Sequence, residues 1–321
     1  MTGKVLVAGG AGLVGTAIIE ALLAEFPTLE ILATLNQSPP NIIHPRVRYC
    51  HGDILQHPDL AGLFQGCSVA LLAVAQSGGV ASLTRDPSST MQATVALNCR
   101  LLEACVRAGV AHIVLCSSVT VYQPFEGFVA ESELDMNLDP PEPHTGVGWA
   151  NRYCERLAHY WSGRSQSRCT VARLANVFGA FGVFDPQRSN FIPALVRKAV
   201  DRLDPFEVWG SPDVTRDVLY VKDCAQALIS LMQREGVAFD CFNVGSGEKT
   251  TVADAVRWAL AAAKHEPEAI AYSQGPQSIP FRALNCGKIF QHFGWRPRWG
   301  IEQGIQETVR WWEEHRQNWH R

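Results

Sequence analysis

The sequence is marked first by what it lacks. Its 321 residues include ten cysteines, yet no two of them form a C-x-x-C pair. Several lie within apolar stretches, namely Cys67, Cys105, Cys116 and Cys224. This scatter predicts reduced, mostly buried thiols rather than a disulfide framework. The ten histidines form no H-x-x-x-H pair and no cluster with cysteine, so we expect no metal site.

Charge and hydropathy argue against two further classes of protein. No run of Lys and Arg occurs and the formal net charge is −3, so we expect no nucleic-acid partner. No apolar run reaches the roughly 20 residues of a membrane span, so we expect no membrane partner. The first strand is predicted to begin at residue 4, which leaves no room for a secretory signal. Together with the reduced thiols, this predicts a cytoplasmic protein.

What is present begins with a glycine-rich turn. Lys4–Ala8 is an apolar run typical of a buried parallel strand, and Thr16–Glu25 has apolar residues at helical spacing. Gly9, Gly12 and Gly15 stand between them, in the spacing G-x-x-G-x-x-G rather than the usual G-x-G-x-x-G. Strand, glycine turn and helix predict a dinucleotide site in preference to an ordinary turn. The residues predicted to bind the pyrophosphate are Gly9, Gly12, Leu13, Val14 and Gly15.

Strand and helix patterns alternate through the first half of the chain. Further strands are predicted at 29–35, 46–49, 69–74, 110–116 and 169–174, and helices at 59–64, 87–108, 148–163 and 301–317. The alternation predicts an α/β fold with a doubly wound parallel sheet. Beyond residue 175 the pattern becomes turn-rich, which predicts a smaller mixed α/β substrate domain. We expect a dinucleotide-binding domain at 1–175, joined by 214–235, and a substrate domain at 176–213 and 236–321.

The end of the second strand bears on the choice of cofactor. An acidic residue there bonds the ribose 2′-hydroxyl of NAD, whereas its absence with a nearby Arg favours NADP. The position is Asn36, and Arg46 and Arg48 lie further along or simply flank the next strand. The sequence predicts NAD or NADP, with a slight preference for NADP because the acid is missing.

Further segments complete a pattern that covers almost the whole chain. In order they are Gly52-Asp53-Ile54, Ser117-Ser118-x-x-Val121-Tyr122, Arg173-x-x-Asn176-x-Phe178-Gly179, Asn190-Phe191-Ile192-Pro193, Arg216-Asp217-Val218-Leu219-Tyr220-Val221-Lys222-Asp223, Phe242-Asn243-Val244-Gly245-Ser246-Gly247 and Gly294-Trp295-x-Pro297. With the glycine turn, they resemble the extended short-chain dehydrogenase/reductase family. The resemblance is to its branch of NAD-dependent nucleotide-sugar epimerases and dehydratases.

The resemblance implies a cofactor, a substrate and a set of site residues. Asp53 with Ile54 would contact adenine, Ser118 matches the catalytic Ser/Thr, and Arg216 matches the arginine that clamps the substrate diphosphate. Asn176 and Asn190 would bond phosphate or uracil, or else cap turns, and Arg282 matches a weaker phosphate or sugar contact. Further cofactor contacts are implied at Ala73, Ser117 and Asn151. The resemblance also implies a homodimer, paired through the helices at 87–108 and 148–163.

One part of the family pattern is missing. The family uses a Tyr-x-x-x-Lys pair on one helix face, in which Lys lowers the Tyr pKa so that the phenolate can take a proton. Gly148 and Glu155 fix the register, and Val147 then stands at the Tyr position and Asn151 at the Lys position. None of the six tyrosines is followed four residues later by Lys, so the pair is absent rather than displaced.

Three interpretations follow from this gap. A substitute acid/base can keep the family reaction, and His144 is chemically the most attractive because its ordinary pKa lies near neutrality, although a solvent-facing loop histidine is the simpler interpretation. Glu133, Tyr153 and Cys116 are the other candidates. Alternatively, the protein binds a dinucleotide or nucleotide-sugar without catalysis, as a sensor, scaffold or partner subunit. In the third interpretation a different reaction, such as a carbonyl reduction, uses the bound cofactor for hydride transfer.

Overall fold

The computed structural model describes residues 3–74, 87–273 and 279–319. The strands are β1 (Gly3–Ala8), β2 (Leu29–Leu35), β3 (Val47–His51), β4 (Cys67–Leu72), β5 (His112–Ser118), β6 (Gly127–Val129), β7 (Arg168–Leu174), β8 (Asn176–Phe178), β9 (Phe206–Trp209), β10 (Thr215–Arg216), β11 (Val218–Tyr220), β12 (Phe239–Val244), β13 (Thr250–Thr251), β14 (Ile270–Ser273) and β15 (Phe281–Leu284). The α-helices are α1 (Leu13–Glu25), α2 (Leu60–Phe64), α3 (Pro87–Arg107), α4 (Thr145–Ser162), α5 (Phe191–Val200), α6 (Val221–Met232), α7 (Val252–Ala262), α8 (Gly287–Phe293) and α9 (Ile301–His315). Two 3-10 turns are η1 (Val119–Val121) and η2 (Glu131–Glu133).

Seven parallel strands form the central sheet, in the order β12-β7-β5-β4-β1-β2-β3. The order reverses between β1 and β4, which makes the sheet doubly wound and confirms the predicted fold class. Parallel strands end at the same edge of a sheet, so the residues that follow β1, β2, β4 and β5 lie around one crevice. In open sheets of this kind, ligands bind in the crevice at the point where the strand order reverses.

Strand β1 is apolar on both faces because helices cover both sides of the sheet. Val5 and Val7 join one core, which also contains residues of α1 and α6. Leu6 and Ala8 point the other way, into a second core built with residues of α3 and α4. Side chains alternate across a strand, so a continuous apolar run is what a sheet buried on both faces requires.

Two boundaries differ from the sequence prediction at the site itself. Strand β5 continues to Ser118 instead of ending at Cys116, because Ser117 and Ser118 still pair with β7 opposite Arg173 and Leu174. Helix α4 begins at Thr145, three residues before the predicted start. Both serines are therefore fixed by the sheet rather than carried on a loop.

Shorter strands form three small sheets beside the large one. One has the order β13-β10-β15-β6, and the other two pair β11 with β8 and β14 with β9. The division of the chain into two domains stays a prediction. Within it, Phe239–Val244 forms an edge strand of the large sheet although the predicted boundary assigned 236–321 to the substrate side.

Candidate active site

At two of the three positions in the first turn, the surrounding backbone leaves no space for a side chain, so glycine is required. Gly9 has a positive φ of 86°, and a Cβ built on it would lie 2.7 Å from the carbonyl oxygen of Ala73. A Cβ on Gly15 would collide with the carbonyl oxygen of Gly9. A side chain at either position would therefore push the end of β1, the start of α1 or the end of β4 out of place.

Gly12 is less crowded than the other two. It is the residue before α1, with an extended φ of −76°, and among the described residues a built Cβ would meet only the Gly9 carbonyl oxygen, in a tight contact of 3.3 Å. The first N–H groups of α1, at Leu13 and Val14, have no acceptor within the helix, and no acidic residue occurs in its first turn. A residue without a side chain before a positive helix terminus fits a pyrophosphate, so the residues present fit a dinucleotide.

The other residues predicted to contact the cofactor surround this turn. Asn36 follows β2 and is exposed, as is Asp53, whose Oδ1 accepts a hydrogen bond from the Leu55 N–H at 2.9 Å. Ile54 is half-buried. Ala73 donates its N–H to the Ala8 carbonyl oxygen at 3.1 Å, which holds the end of β4 against the glycine turn. Their contacts with a cofactor stay predictions.

Arg46 stabilises the C-terminal end of α1, opposite the glycine turn. Its guanidinium donates to the carbonyl oxygens of Leu23 at 2.7 Å, Phe26 at 2.6 Å and Leu29 at 3.3 Å. A cation at a helix C-terminus satisfies carbonyls that have no partner in the helix. Arg46 is therefore engaged away from the ribose position, and the preference for NADP depends on Asn36.

Ser118 immediately precedes the turn η1, which packs on the start of α4. It is half-buried, and its Oγ accepts a hydrogen bond from the Thr120 N–H at 3.2 Å. A Cβ on Gly148 would collide with the Thr120 carbonyl oxygen, which shows how closely η1 packs on α4. Asn151 donates its Nδ2 to the carbonyl oxygen of Val147 at 2.9 Å. The positions of the family's Tyr and Lys thus hold neither a phenol nor a cation.

The neighbouring serine belongs to a buried polar network. Ser117 donates its hydroxyl to Glu155 Oε1 at 2.6 Å. Arg173 grips the same carboxylate through Nη2 to Oε2 at 2.8 Å and Nε to Oε1 at 3.1 Å, with the two side chains only 5% and 6% exposed. The hydrogen of the Ser117 hydroxyl is therefore committed to Glu155, and the contact of Ser117 with a cofactor stays a prediction.

The hydrogen-bond network continues from Arg173 to Tyr122 and Asn243. It was not predicted from the sequence. Arg173 donates Nη1 to the Tyr122 hydroxyl at 3.0 Å, and that hydroxyl donates to Asn243 Oδ1 at 2.7 Å. Asn243 in turn donates its N–H to Glu131 Oε1 at 2.7 Å. Burial raises the pKa of Tyr122 far above its usual value, so this tyrosine does not replace the missing base. The three motifs that supply Tyr122, Arg173 and Asn243 were the only signal of it.

The lesser candidates for a substitute acid/base lie in unsuitable surroundings. Burial raises the pKa of Cys116 to about 12. Tyr153 points outward from α4 and is 53% exposed. Glu133 is exposed, and its Oε2 accepts from the Ala130 N–H at 2.6 Å. The Cys116 thiol is therefore protonated at pH 7, the Tyr153 ring is directed away from α4, and the Glu133 carboxylate is engaged with the backbone of Ala130.

Two arginines face one another on the four-stranded sheet. Arg216 of β10 pairs in parallel register with Arg282 of β15, and both are half-buried. Arg216 Nη1 donates to the carbonyl oxygens of Thr215 at 2.7 Å and Ile279 at 2.9 Å, while the Arg282 guanidinium lies 5.7 Å from the ring centroid of Phe125. Burial and the charge of Arg216 lower the pKa of Arg282 to about 10, so both remain cations at pH 7. Like charges in register repel, and an anion between them removes that cost.

His144 lies within the field of this pair. It is the residue before α4, and its Nδ1 is buried without a hydrogen-bond partner. Burial, then the charges of Arg282 and Arg216, lower the pKa of His144 to about 4. The imidazole is therefore neutral at pH 7.

The two predicted asparagines differ in their availability. Asn176 donates Nδ2 to the Asp217 carbonyl oxygen at 2.9 Å. Asn190 precedes α5, is exposed and makes no side-chain cap bond. The Asp217 carboxylate accepts from the Ser246 N–H at 2.8 Å, the Ser246 hydroxyl at 2.7 Å and the Leu284 N–H at 3.1 Å, which pins β15 beside Arg216.

Two kinds of feature are absent from the part of the chain that the structure describes. Over residues 3–74, 87–273 and 279–319, no three His, Cys, Asp or Glu side chains gather in a way that would hold a metal ion. Within the same ranges, no helix combines the length and apolar character needed to cross a bilayer.

A doubly wound parallel sheet with a glycine turn where its strand order reverses defines a Rossmann-type nucleotide-binding protein. The chain belongs to the NAD-dependent epimerase/dehydratase family, whose model matches residues 5–245, and the predicted family is confirmed. It is 28% identical to the dTDP-L-rhamnose 4-epimerase of Burkholderia thailandensis, over 96% of this chain and 94% of that protein. It is 25% identical to the probable GDP-L-fucose synthase 1 of Oryza sativa, over 97% and 92%.

Solved structures share the fold. The UDP-glucose 4-epimerase of Thermotoga maritima with UDP-glucose superposes with a TM-score of 0.84 at 20% identity, covering 97% of this chain and 99% of that one. The UDP-glucuronic acid 4-epimerase of Bacillus cereus, in complex with UDP-glucuronic acid and NAD, gives 0.82 at 19% identity and the same coverage.

Proposed function

We propose that this chain is an NAD(P)-dependent enzyme that modifies a nucleotide-activated sugar or a related carbonyl or hydroxyl substrate. It would act as an epimerase, dehydratase or reductase by hydride transfer, with a non-standard acid/base set. The observation that carries the proposal is the Arg216–Arg282 pair. A dinucleotide needs one pyrophosphate site, which the glycine turn provides, and the arginine pair is a second cationic site suited to a second diphosphate. The named relatives are enzymes of dTDP- and GDP-sugars.

Each group of side chains has a task in this proposal. The glycine turn and the N-terminus of α1 hold the cofactor pyrophosphate, and Asp53 contacts the adenine. A bound nicotinamide supplies the hydride chemistry. Ser118 offers a hydroxyl to a substrate oxygen from the end of β5. Asn151 has its Nδ2 committed to Val147, so it offers Oδ1 as an acceptor to a ribose hydroxyl.

His144 remains a predicted acid/base, but its surroundings favour another role. A proton taken from a substrate hydroxyl would create an imidazolium beside Arg216 and Arg282. Burial and then the two cations oppose that charge and lower the pKa of His144, so the imidazole is a weaker base than an ordinary histidine. Proton transfer by His144 would therefore be slow at neutral pH.

A binding protein without turnover is the second candidate. The observation that favours it is the pair Val147 and Asn151, which hydrogen-bond to each other where the family has Tyr and Lys. Neither can exchange a proton. Such a protein would bind a dinucleotide or nucleotide-sugar as a sensor, scaffold or partner subunit.

Ligand identification and turnover separate the two candidates. Native mass spectrometry of freshly purified protein identifies any bound NAD(H) or NADP(H), and titration with each measures the preference. The protein is then incubated with UDP-glucose, GDP-mannose and dTDP-glucose, with product analysis and absorbance at 340 nm as readouts. The enzyme predicts a product that Ser118→Ala abolishes. Binding without product, unchanged in Ser118→Ala, supports the silent protein, and no dinucleotide binding at all overturns both.

We also propose a homodimer in a reducing compartment, the cytoplasm. Helices α3 and α4 pack together, and α4 presents Trp149, Tyr153 and Tyr160, which are 37%, 53% and 49% exposed. Exposed aromatic residues along one helix suit a self-complementary interface. All ten cysteines are free thiols. Light scattering should give a dimer mass that Tyr153→Glu shifts to the monomer, whereas a monomeric wild type contradicts the assignment.

A further inference from the structure

The imidazole ring of His144 has no hydrogen-bond partner in the part of the chain that the structure describes. Its Nδ1 is buried without a hydrogen bond, and its ring makes none to any other residue in the described ranges. A buried polar group without a partner costs free energy, so an isolated imidazole at the edge of a site needs an explanation. A neutral imidazole always has one N–H to give.

Three elements bring donors to the same place. Arg216 lies on β10, Arg282 lies opposite it on β15, and His144 stands at the N-terminus of α4 within the field of both. The first turn of α4 contains no acidic residue, and the nearby Asp139 carboxylate accepts a hydrogen bond from Trp149 Nε1 at 2.7 Å. The two arginines, the imidazole N–H and the positive end of α4 attract an anion, and none of them attracts a cation.

We propose that His144 is a third anion-binding residue, which donates an N–H to the diphosphate that Arg216 and Arg282 clamp, and that it is not the acid/base. The inference rests on the proposed function, because it takes the ligand to be a nucleotide-sugar. It identifies His144 as a residue that helps to select substrates with a diphosphate ester.

Charge balance explains why a neutral donor belongs here. The diphosphate of a nucleotide-sugar has two negative charges, which the two arginines already match. A third cation would add repulsion, whereas a neutral N–H adds a charge-assisted hydrogen bond without adding charge. The same field that keeps His144 neutral therefore suits it to the proposed role.

The test measures affinity for the tightest binder among UDP-glucose, GDP-mannose and dTDP-glucose, by calorimetry at pH 7.5 with saturating NAD. His144→Phe removes the donor and should weaken binding about tenfold or more, since a hydrogen bond to a charged group contributes about 1.5–3 kcal/mol. His144→Asn keeps a donor and should stay within about threefold of wild type. NAD affinity should not change in either variant. His315→Phe, on α9, is the matched control and should behave as wild type.

Kinetics separate anion binding from proton transfer. An anion-binding His144 predicts that His144→Phe raises KM and leaves kcat nearly unchanged, whereas an acid/base predicts a fall in kcat at constant KM and overturns the proposal. Unchanged sugar affinity in His144→Phe also overturns it. If His144→Phe is misfolded by circular dichroism, His144→Ala takes its place in the same test.

A second probe keeps this proposal distinct from the proposed function. If wild-type protein binds NAD but none of the three nucleotide-sugars, the proposed substrate class fails. Inorganic pyrophosphate is then titrated in the presence of saturating NAD. Weaker pyrophosphate binding in His144→Phe supports the anion-binding role, and equal binding, or none in the wild type, overturns it.

Discussion

The crevice has two ends, one formed mainly by backbone groups and the other by side chains. At the glycine turn, binding would depend on the shape of the backbone: Gly9, Gly12 and Gly15 set the turn, and the first N–H groups of α1 follow it without an acidic residue beside them in the helix. At the reactive end, the work would fall to side chains, and there Val147 and Asn151 replace a phenol and an ammonium. A binding site made from backbone tolerates change in the side chains around it, whereas two substitutions are enough to remove the family's Tyr–Lys proton transfer.

The two ends also differ in what holds them in place. The glycine turn is held by backbone hydrogen bonds and close packing, with Gly10 donating to the Thr34 carbonyl oxygen at 3.0 Å. The end of β5 is held by the buried network of Ser117, Glu155 and Arg173. Three predictions test this contrast, and a fourth concerns a buried histidine away from the crevice.

The largest effect is expected when the buried network loses its charge. Glu155→Gln leaves the Arg173 guanidinium uncompensated in the core, which should lower the free energy of unfolding by about 3–5 kcal/mol. Glu307→Gln is the matched control, because Glu307 pairs with Arg310 at 2.8 Å on the surface and should cost less than about 1 kcal/mol. Urea denaturation measures both. Equal losses would show that the end of β5 does not depend on this ion pair.

Restoring the missing pair should give the next largest effect. In Val147→Tyr with Asn151→Lys, the ammonium lies one turn from the phenol and lowers its pKa, so turnover of the nucleotide-sugar should rise about 100-fold. Val147→Phe with Asn151→Lys has the same bulk without the hydroxyl and should show no gain. A gain of the same size in both double variants would mean that the reactive end lacks something other than a base.

Gly12→Ala tests whether the backbone end is kept open for a ligand. A Cβ there would lie 3.3 Å from the Gly9 carbonyl oxygen, which must shift by a few tenths of an ångström, so the free energy of unfolding should fall by about 1 kcal/mol or less while NAD affinity falls about tenfold or more. Gly300→Ala is the matched control, since Gly300 also precedes a helix with an extended φ, of −64°, and has nothing within 4 Å. If Gly12→Ala binds NAD as tightly as the wild type, the glycine turn is not the dinucleotide site.

The smallest effect concerns acid stability, away from the crevice. His112 is buried, bonded to the Met232 carbonyl oxygen at 3.0 Å and to Thr170 Oγ1 at 2.9 Å, and burial lowers its pKa to about 4. The unfolded chain, with a histidine pKa near 6.5, then binds more protons than the folded one. Stability should therefore fall as the pH drops from about 6.5 to 4, by about 1–3 kcal/mol for this residue.

Urea midpoints across that range measure the effect. His112→Asn should reduce the pH dependence, and His315→Asn, an exposed position on α9, should leave it unchanged. An unchanged slope in His112→Asn would place the acid sensitivity in another group.

The sheet and the glycine turn were predictable because their signals are local. Lys4–Ala8 shows a continuous apolar run of the kind that a strand buried on both faces needs, and the three glycines follow within seven residues. The absent Tyr-x-x-x-Lys pair was equally visible, since it concerns one turn of helix. Each of these features depends on residues that are close together in the chain.

The rest depends on contacts between distant segments. Arg216 and Arg282 meet because a two-residue strand pairs with a four-residue strand more than sixty residues later, and no periodicity reveals such short partners. The commitment of the Ser117 hydroxyl to Glu155 also arises only when α4 packs on the sheet. The sequence predicted Ser117 at the site but could not predict that its hydroxyl donates a hydrogen bond to Glu155.

The facing arginines also provide a way to identify the ligand of this protein. The small sheet that holds them joins β6, β10, β13 and β15, so four remote parts of the chain converge on two like charges. An anion that binds both arginines would stabilise the folded protein. A ligand at 100 times its Kd adds about 2.7 kcal/mol to the free energy of unfolding. A thermal-shift screen of phosphorylated metabolites can therefore identify the partner of this chain before its reaction is known.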